Sequence, residues 1–180
     1  MVDLTEIQTA YYMVAATGVL VAAAYYIFNM KTTLETRRIA MIESISSRIA
    51  NDEGQMRYFE LMNYQWTDYE DFERKYGSPN NLRAAAKRYA LWNDFNTMGM
   101  ILRKGLVKAE DVYNMGFGGI PLFWEKYGPI VEESRVRYNG KEYSKDMEFL
   151  AGEMLRYVQS RDPSYRISEK RVRDYNITTQ

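Results

Sequence analysis

The sequence predicts an all-α protein: one N-terminal transmembrane helix followed by a small multi-helix cytoplasmic domain. Three observations carry that reading. An uncharged run of 21 residues, Ala10 to Met30, lies near the start of the chain. After it, apolar residues recur at spacings of three and four, the period of a helix with one buried face. No segment alternates with period two, so strands are not expected.

As a helix, the run from Ala10 to Met30 spans about 31 Å, the thickness of a bilayer's hydrocarbon core. Tyr11 and Tyr12 at one end and Tyr25, Tyr26 and Phe28 at the other are amphipathic rings placed for the headgroup level, an anchoring belt. Two rival readings exist for such a run. A buried core helix is usually shorter or has a polar face. A cleaved signal peptide has small residues available in "VAAA" before Tyr25, but it wants a basic front end, and Asp3 and Glu6 stand there instead. All 24 Lys and Arg follow the span, with Lys31, Arg37 and Arg38 close behind it. The positive-inside rule therefore places the N-terminus outside and the body in the cytoplasm, at a cell membrane. Ala15, Gly18 and Ala22 form a small-residue stripe of the kind that lets a second helix approach, a loose signal in an alanine-rich run.

Composition bounds the remainder. Hydrophobic residues at 46% and charged residues at 27% suit a folded chain. The body carries 24 basic and 22 acidic residues, since Asp3 and Glu6 precede it, so no large basic surface is expected. The chain has no cysteine and no histidine. That removes disulfides, thiolate nucleophiles, imidazole acid-base chemistry and the usual zinc sites, leaving carboxylates, tyrosines, lysines and arginines for any chemistry. Sixteen tyrosines imply many half-buried rings with a wet edge.

The organisation expected is an extracytoplasmic segment 1–9, the span 10–30, a juxtamembrane helix 31–53, a helical domain 54–161 and a polar tail 162–180. Leu34 to Ala50 continues the helix, with Ile42, Ile45 and Ile49 on one side. The spacing runs on through Met56, Phe59 and Trp66, but "NDEG" invites a break, so packing within the chain is favoured over a coiled coil. Thr67 and Glu70 spell a capping box, and Gly77 stands where a left-handed residue would close that helix. Ser78 with Pro79 would open the next, which Gly105 would close after Arg103 and Lys104. This longest body helix has one apolar stripe at Leu82, Ala85, Tyr89 and Trp92 and another at Leu91, Phe95, Met98 and Leu102, and is expected to be central. A short helix around Asp111 to Met115 leads to "GFGG". Pro121 opens the next segment, Pro129 opens or kinks its continuation through Val136, and Asn139-Gly140 is a turn. Met147, Leu150, Met154 and Val158 mark the last helix, ended by Asp162-Pro163.

The span "YYMVAATGVLVAAAYY", the aromatic-acidic "WTDYEDFERKYG", the helix end "ILRKGLV" and "FWEKYGPI" together resemble an uncharacterised prokaryotic family, chiefly archaeal. Its members are single-pass membrane proteins with a helical cytoplasmic domain of unknown function. The resemblance covers Thr5 to Gln159. It implies the same topology and fold, and it brings no catalytic residue.

Among candidate sites, Asn93, Asp94 and Asn96 are polar residues beside Trp92 and Phe95 on the central helix. A buried aspartate needs a partner, with Arg103, Arg88 or a tyrosine available. A polar core network is the favoured account, against a ligand site or plain exposure. "GFGG" lacks the spelling of a phosphate loop, and the acids Asp68, Glu70, Asp71 and Glu73 suit a helix start better than a cation. In the tail, Tyr165, Arg166, Lys170, Arg171, Arg173 and Tyr175 interleave charge and aromatics, but so diluted a pattern is not expected to bind nucleic acid, and a solvated end is the plainer reading. Asn176 begins a glycosylation sequon that matters only if the body is outside. The function expected is a membrane-anchored helical interaction protein, an adaptor or accessory subunit of a larger assembly, without chemistry or a cofactor of its own. Its partners would be the bilayer and a protein or a second copy of itself. The alternative is a membrane-tethered enzyme or small-ligand sensor using carboxylate, tyrosine and arginine groups.

Overall fold

The computed structural model describes residues 3–167, and these form seven α-helices with no strand. Contacts divide the chain into two units, Met1–Glu43 and Ser44–Gln180.

The first unit is one helix, the larger part of α1 (Leu4–Ala50). From Ala10 to Met30 every residue of this helix is exposed. It is long and apolar enough to cross a membrane. The Thr17 hydroxyl within it donates to the Met13 carbonyl at 2.8 Å, so that polar group is satisfied inside the helix.

The second unit begins with the end of α1, where Ile45 and Ile49 are buried. The expected break after Ala50 is present. Asn51 accepts from the Gly54 amide at 2.7 Å and starts α2 (Asp52–Met62), while the Gln55 side chain donates to the Ile49 carbonyl. Gly54 is required there, because a Cβ would lie 2.3 Å from the Arg48 carbonyl oxygen. The turn also ends the apolar seam: Met56 and Phe59, read as its continuation, are exposed.

Two expected helix starts fall elsewhere, and one helix ends where expected but in another conformation. The cap of α3 (Tyr69–Tyr76) is Asp68 and not Thr67: Asp68 accepts from the Asp71 amide, and the Asp71 carboxylate accepts from the Thr67 amide. Gly77 is extended, with φ −67° and ψ 150°, and is not left-handed. Its smallness serves a close approach, since a Cβ would sit 2.4 Å from the Glu73 carbonyl oxygen. Ser78 and Pro79 lie in the turn, and α4 (Leu82–Arg103) is capped by Asn81. Asn81 outcompetes Ser78 because it serves both helices, accepting from the Ala84 amide and donating to the Lys75 carbonyl.

Helix α4 is central. It packs along α7 (Lys145–Arg161) and touches α2, α3 and α5 (Ala109–Asn114). Leu91, Phe95 and Met98 are buried as expected. Of the other stripe only Ala85 and Trp92 are buried, Leu82 and Tyr89 being exposed. Its end is a Schellman motif: Gly105 is left-handed at φ 68°, its amide bonds to the Leu102 carbonyl, and the Leu106 amide reaches Ile101. The glycines that follow α5 turn the chain, with Gly116 at φ 94°, and seat buried Phe117 against Phe95. Helix α6 (Ile120–Arg137) has Pro121 in its first turn and Pro129 inside it. Its Lys126 and Tyr127 donate to the carbonyls of Met62 and Leu61, both at 2.6 Å, closing the end of α2. Asn139 is left-handed in the turn to α7, whose Met147, Leu150 and Met154 are buried.

Candidate functional site

The four polar residues singled out on α4 do not converge. Asp94 is buried and pairs with Arg48 at 3.3 Å, in place of the expected Arg103, Arg88 or tyrosine. Burial raises its pKa, and the nearby Arg48 and Arg57 charges offset only part of that. Asn96 accepts from the Met147 amide at 3.0 Å. Ser144, which precedes α7, is left-handed and makes no side-chain cap, so Asn96 caps the first turn of α7 from a different helix. Arg103 pairs with Asp146 at 2.7 Å. Asn93 is exposed. These are separate ties from α4 to its neighbours.

The other singled-out groups also have local employment. Asp68 is a helix cap, Asp71 is paired with Arg74 and Lys75, and Glu70 with Arg137. Among the described residues no three acidic groups are gathered as a cation site would need. Tyr11, Tyr12, Tyr25, Tyr26, Lys31 and Arg37 are exposed along α1, with Arg38 half-buried. Gly18 of the small-residue stripe has open space beside it. In the tail, Arg166 donates to the carbonyls of Pro163 and Tyr165. Lys170, Arg171, Arg173, Tyr175 and Asn176 lie outside the described residues.

Among the described residues, two of the body's concavities bear on a site. One, about 640 Å³, runs between α6 and α7, and its charges are largely paired already: Arg103 with Asp146, Lys145 and Arg135 with Glu148, Arg156 with Glu153. The second, about 420 Å³, is different in kind, and within the size range of small-molecule sites. Its walls come from α3, α4, α6 and the α6–α7 turn. Of the lining residues, Tyr69, Phe72, Trp92 and Ile130 are buried, and Tyr89 and Tyr138 are exposed.

Arg88 is set into this wall at only 4% exposure. Its guanidinium lies 4.7, 5.0 and 5.3 Å from the ring centres of Phe72, Tyr89 and Trp92, and donates to the Tyr76 carbonyl at 3.1 Å. Cation–π attraction supports the charge there. Even so, Arg88 is in no ion pair among the described residues, and its Nε–H has no acceptor. One turn along the same face, the Trp92 indole N–H also lacks an acceptor. Both nitrogens have essentially no accessible surface, so they are shielded within the packing of α4 and do not open into the cavity. Tyr69 meets Ser134 at 3.1 Å, so its hydroxyl is satisfied, and burial raises its pKa. Tyr143, raised by burial and by neighbouring Tyr89, packs its ring on Trp92 at 5.9 Å.

The sequence reading missed this cavity. Its members come from four separated segments, and in the sequence Arg88 stands out only as a partner for Asp94. The legible traces were the tyrosine excess and the run "RYALW", which puts a cation and an indole one turn apart.

A family model described as "Domain of unknown function (DUF4760)" matches residues 12–154, most of the chain. Neither the curated proteins nor the solved structures give a match.

Proposed function

Because the chain belongs to the DUF4760 family, whose description assigns no activity, we propose its function from the geometry: a single-pass, membrane-anchored helical interaction protein, an adaptor or accessory subunit without chemistry of its own. The observation that carries this reading is the run from Ala10 to Met30, apolar, helical and exposed along its whole length. Left in water, such a surface is far larger than a soluble monomer tolerates, and a bilayer covers it. Charge supports the orientation, with Lys31, Arg37 and Arg38 on the cytoplasmic side and the N-terminus outside. The pairing of Asp94, Arg103, Asp71 and Glu70 within the fold supports a scaffold over a catalyst. The partner is a protein or a second copy of the chain, held at the cytoplasmic face.

The test is native mass measurement after extraction from the protein's own membranes in mild detergent. The reading predicts a species heavier than the 21.2 kDa chain plus its micelle, with a companion or second copy in fixed stoichiometry. A lone chain at every detergent mildness that preserves other membrane assemblies would contradict it.

A further inference from the structure

We infer that the groove between α6 and α7 is the seat of the chain's own C-terminal segment 168–173, which closes it as a strap. The inference does not depend on the proposed docking role, since groove and segment both belong to the second unit. Residues 168–180 lie outside the described ones, and the described chain stops inside this groove. After α7 the backbone reverses: the Tyr165 amide bonds to the Asp162 carbonyl, and the Gln159 side chain donates to the Tyr165 carbonyl at 3.3 Å. The chain thus turns back along the helix it has just left, and Ile167 already forms part of the groove lining. The length fits. The face of α7 that lines the groove runs from Lys145 to Arg156, about 16 Å at a rise of about 1.5 Å per residue. An extended chain advances about 3.3 Å per residue, so the steps from Ile167 to Val172 cover that distance. The chemistry fits as well. Half-buried Trp124, Phe149 and Leu155 offer apolar surface for Val172. Glu125 and Glu142, also on the lining, are exposed and in no ion pair among the described residues, whereas Glu148 is held by Lys145 and Arg135. Segment 168–173 carries Lys170, Arg171 and Arg173 against one acid, Glu169, so its charge complements those two carboxylates.

The chain has no cysteine, so single introduced thiols report the contact. At Gly152, on the groove lining, an added Cβ meets nothing closer than 4.0 Å. In detergent, Gly152→Cys in the full chain should react with a maleimide at least about tenfold more slowly than the same variant ending at Ile167, because the seated segment must first leave. Reversing the segment's charge in the full chain with Lys170→Glu, Arg171→Glu and Arg173→Glu should restore most of the fast rate, with far-ultraviolet circular dichroism unchanged. Val172→Cys reads the contact from the other side, in case a thiol at Gly152 keeps the segment out. Its labelling should be slow in the otherwise unaltered chain and fast once Glu125→Gln and Glu142→Gln are added. Equal rates in the full, truncated and charge-reversed chains, together with rapid labelling of Val172→Cys, would overturn the assignment. So would protection that fades on dilution, which would seat a second copy's segment in the groove instead.

Discussion

Asn96 and Asn93 stand three residues apart on α4, and their surroundings give them opposite importance. Asn96 supplies the acceptor for the Met147 amide, a group that α7 cannot satisfy with its own cap residue. Asn96→Ala should therefore cost about 1 kcal/mol, the usual cost of a lost N-cap, while Asn93→Ala stays within about 0.5 kcal/mol, both read by chemical denaturation in detergent. Lys126 yields a second residue-scale prediction. Burial lowers its pKa from 10.5 to about 8, while its ammonium donates to the Met62 carbonyl and lies 4.9 Å from the Trp66 ring centre. Between those two values the unfolded chain holds the proton more than the fold does. Stability contributed by this group is therefore lowest below the folded pKa and rises with pH through the window. Relative to Lys126→Met, the wild type should gain stability between about pH 7.5 and about pH 10, and a constant difference would refute the assignment. At this scale the sequence pointed to burial of at least one of Asn93, Asp94 and Asn96, because Trp92 and Phe95 stand among them, and Asp94 is the buried one. It did not announce Arg48 as the partner, since that pairing depends on how the end of α1 meets α4.

Helix ends divide into those set locally and those set by neighbours. Gly105 was legible because a Schellman motif needs only a left-handed residue after the last turn, and glycine adopts it without a Cβ penalty. The start of α4 was not legible from Ser78 and Pro79, because Asn81 wins by also bonding the end of α3. The α4–α7 contact depends on a glycine the sequence reading passed over. A Cβ on Gly99 would lie 1.9 Å from the Asp146 carbonyl oxygen and 2.6 Å from its carbon, both backbone atoms that no rotamer change can move. Gly99→Ala should destabilise the body by about 3 kcal/mol, the upper range for overpacking. Gly152→Ala on α7 meets nothing closer than the Arg156 guanidinium at 4.0 Å, and should instead stabilise by about 0.5–1 kcal/mol through helix propensity. Thermal or urea unfolding of the pair checks the sign of each, and equal effects would mean that α4 and α7 do not cross as closely as described.

For the whole molecule, the all-helical architecture was legible because spacings of three and four persist through most of the chain, and because proline and glycine punctuate it. The cavity at Arg88 was not, since it exists only where three helices and a turn meet. The N-terminal run was the plainest signal of all: its 21 uncharged residues form one continuous stretch of exposed helix. On the proposed account this surface faces lipid, and the basic residues that follow fix its direction. The absence of cysteine makes that account directly measurable, because a single introduced thiol is the only one present. Thr5→Cys and Ala86→Cys both place it at an exposed position, one on each side of the span. With a membrane-impermeant maleimide applied to intact cells, Thr5→Cys should label at once and Ala86→Cys only after lysis. Labelling of Ala86→Cys in intact cells, or shielding of Thr5→Cys until lysis, would contradict the proposed anchor and its orientation.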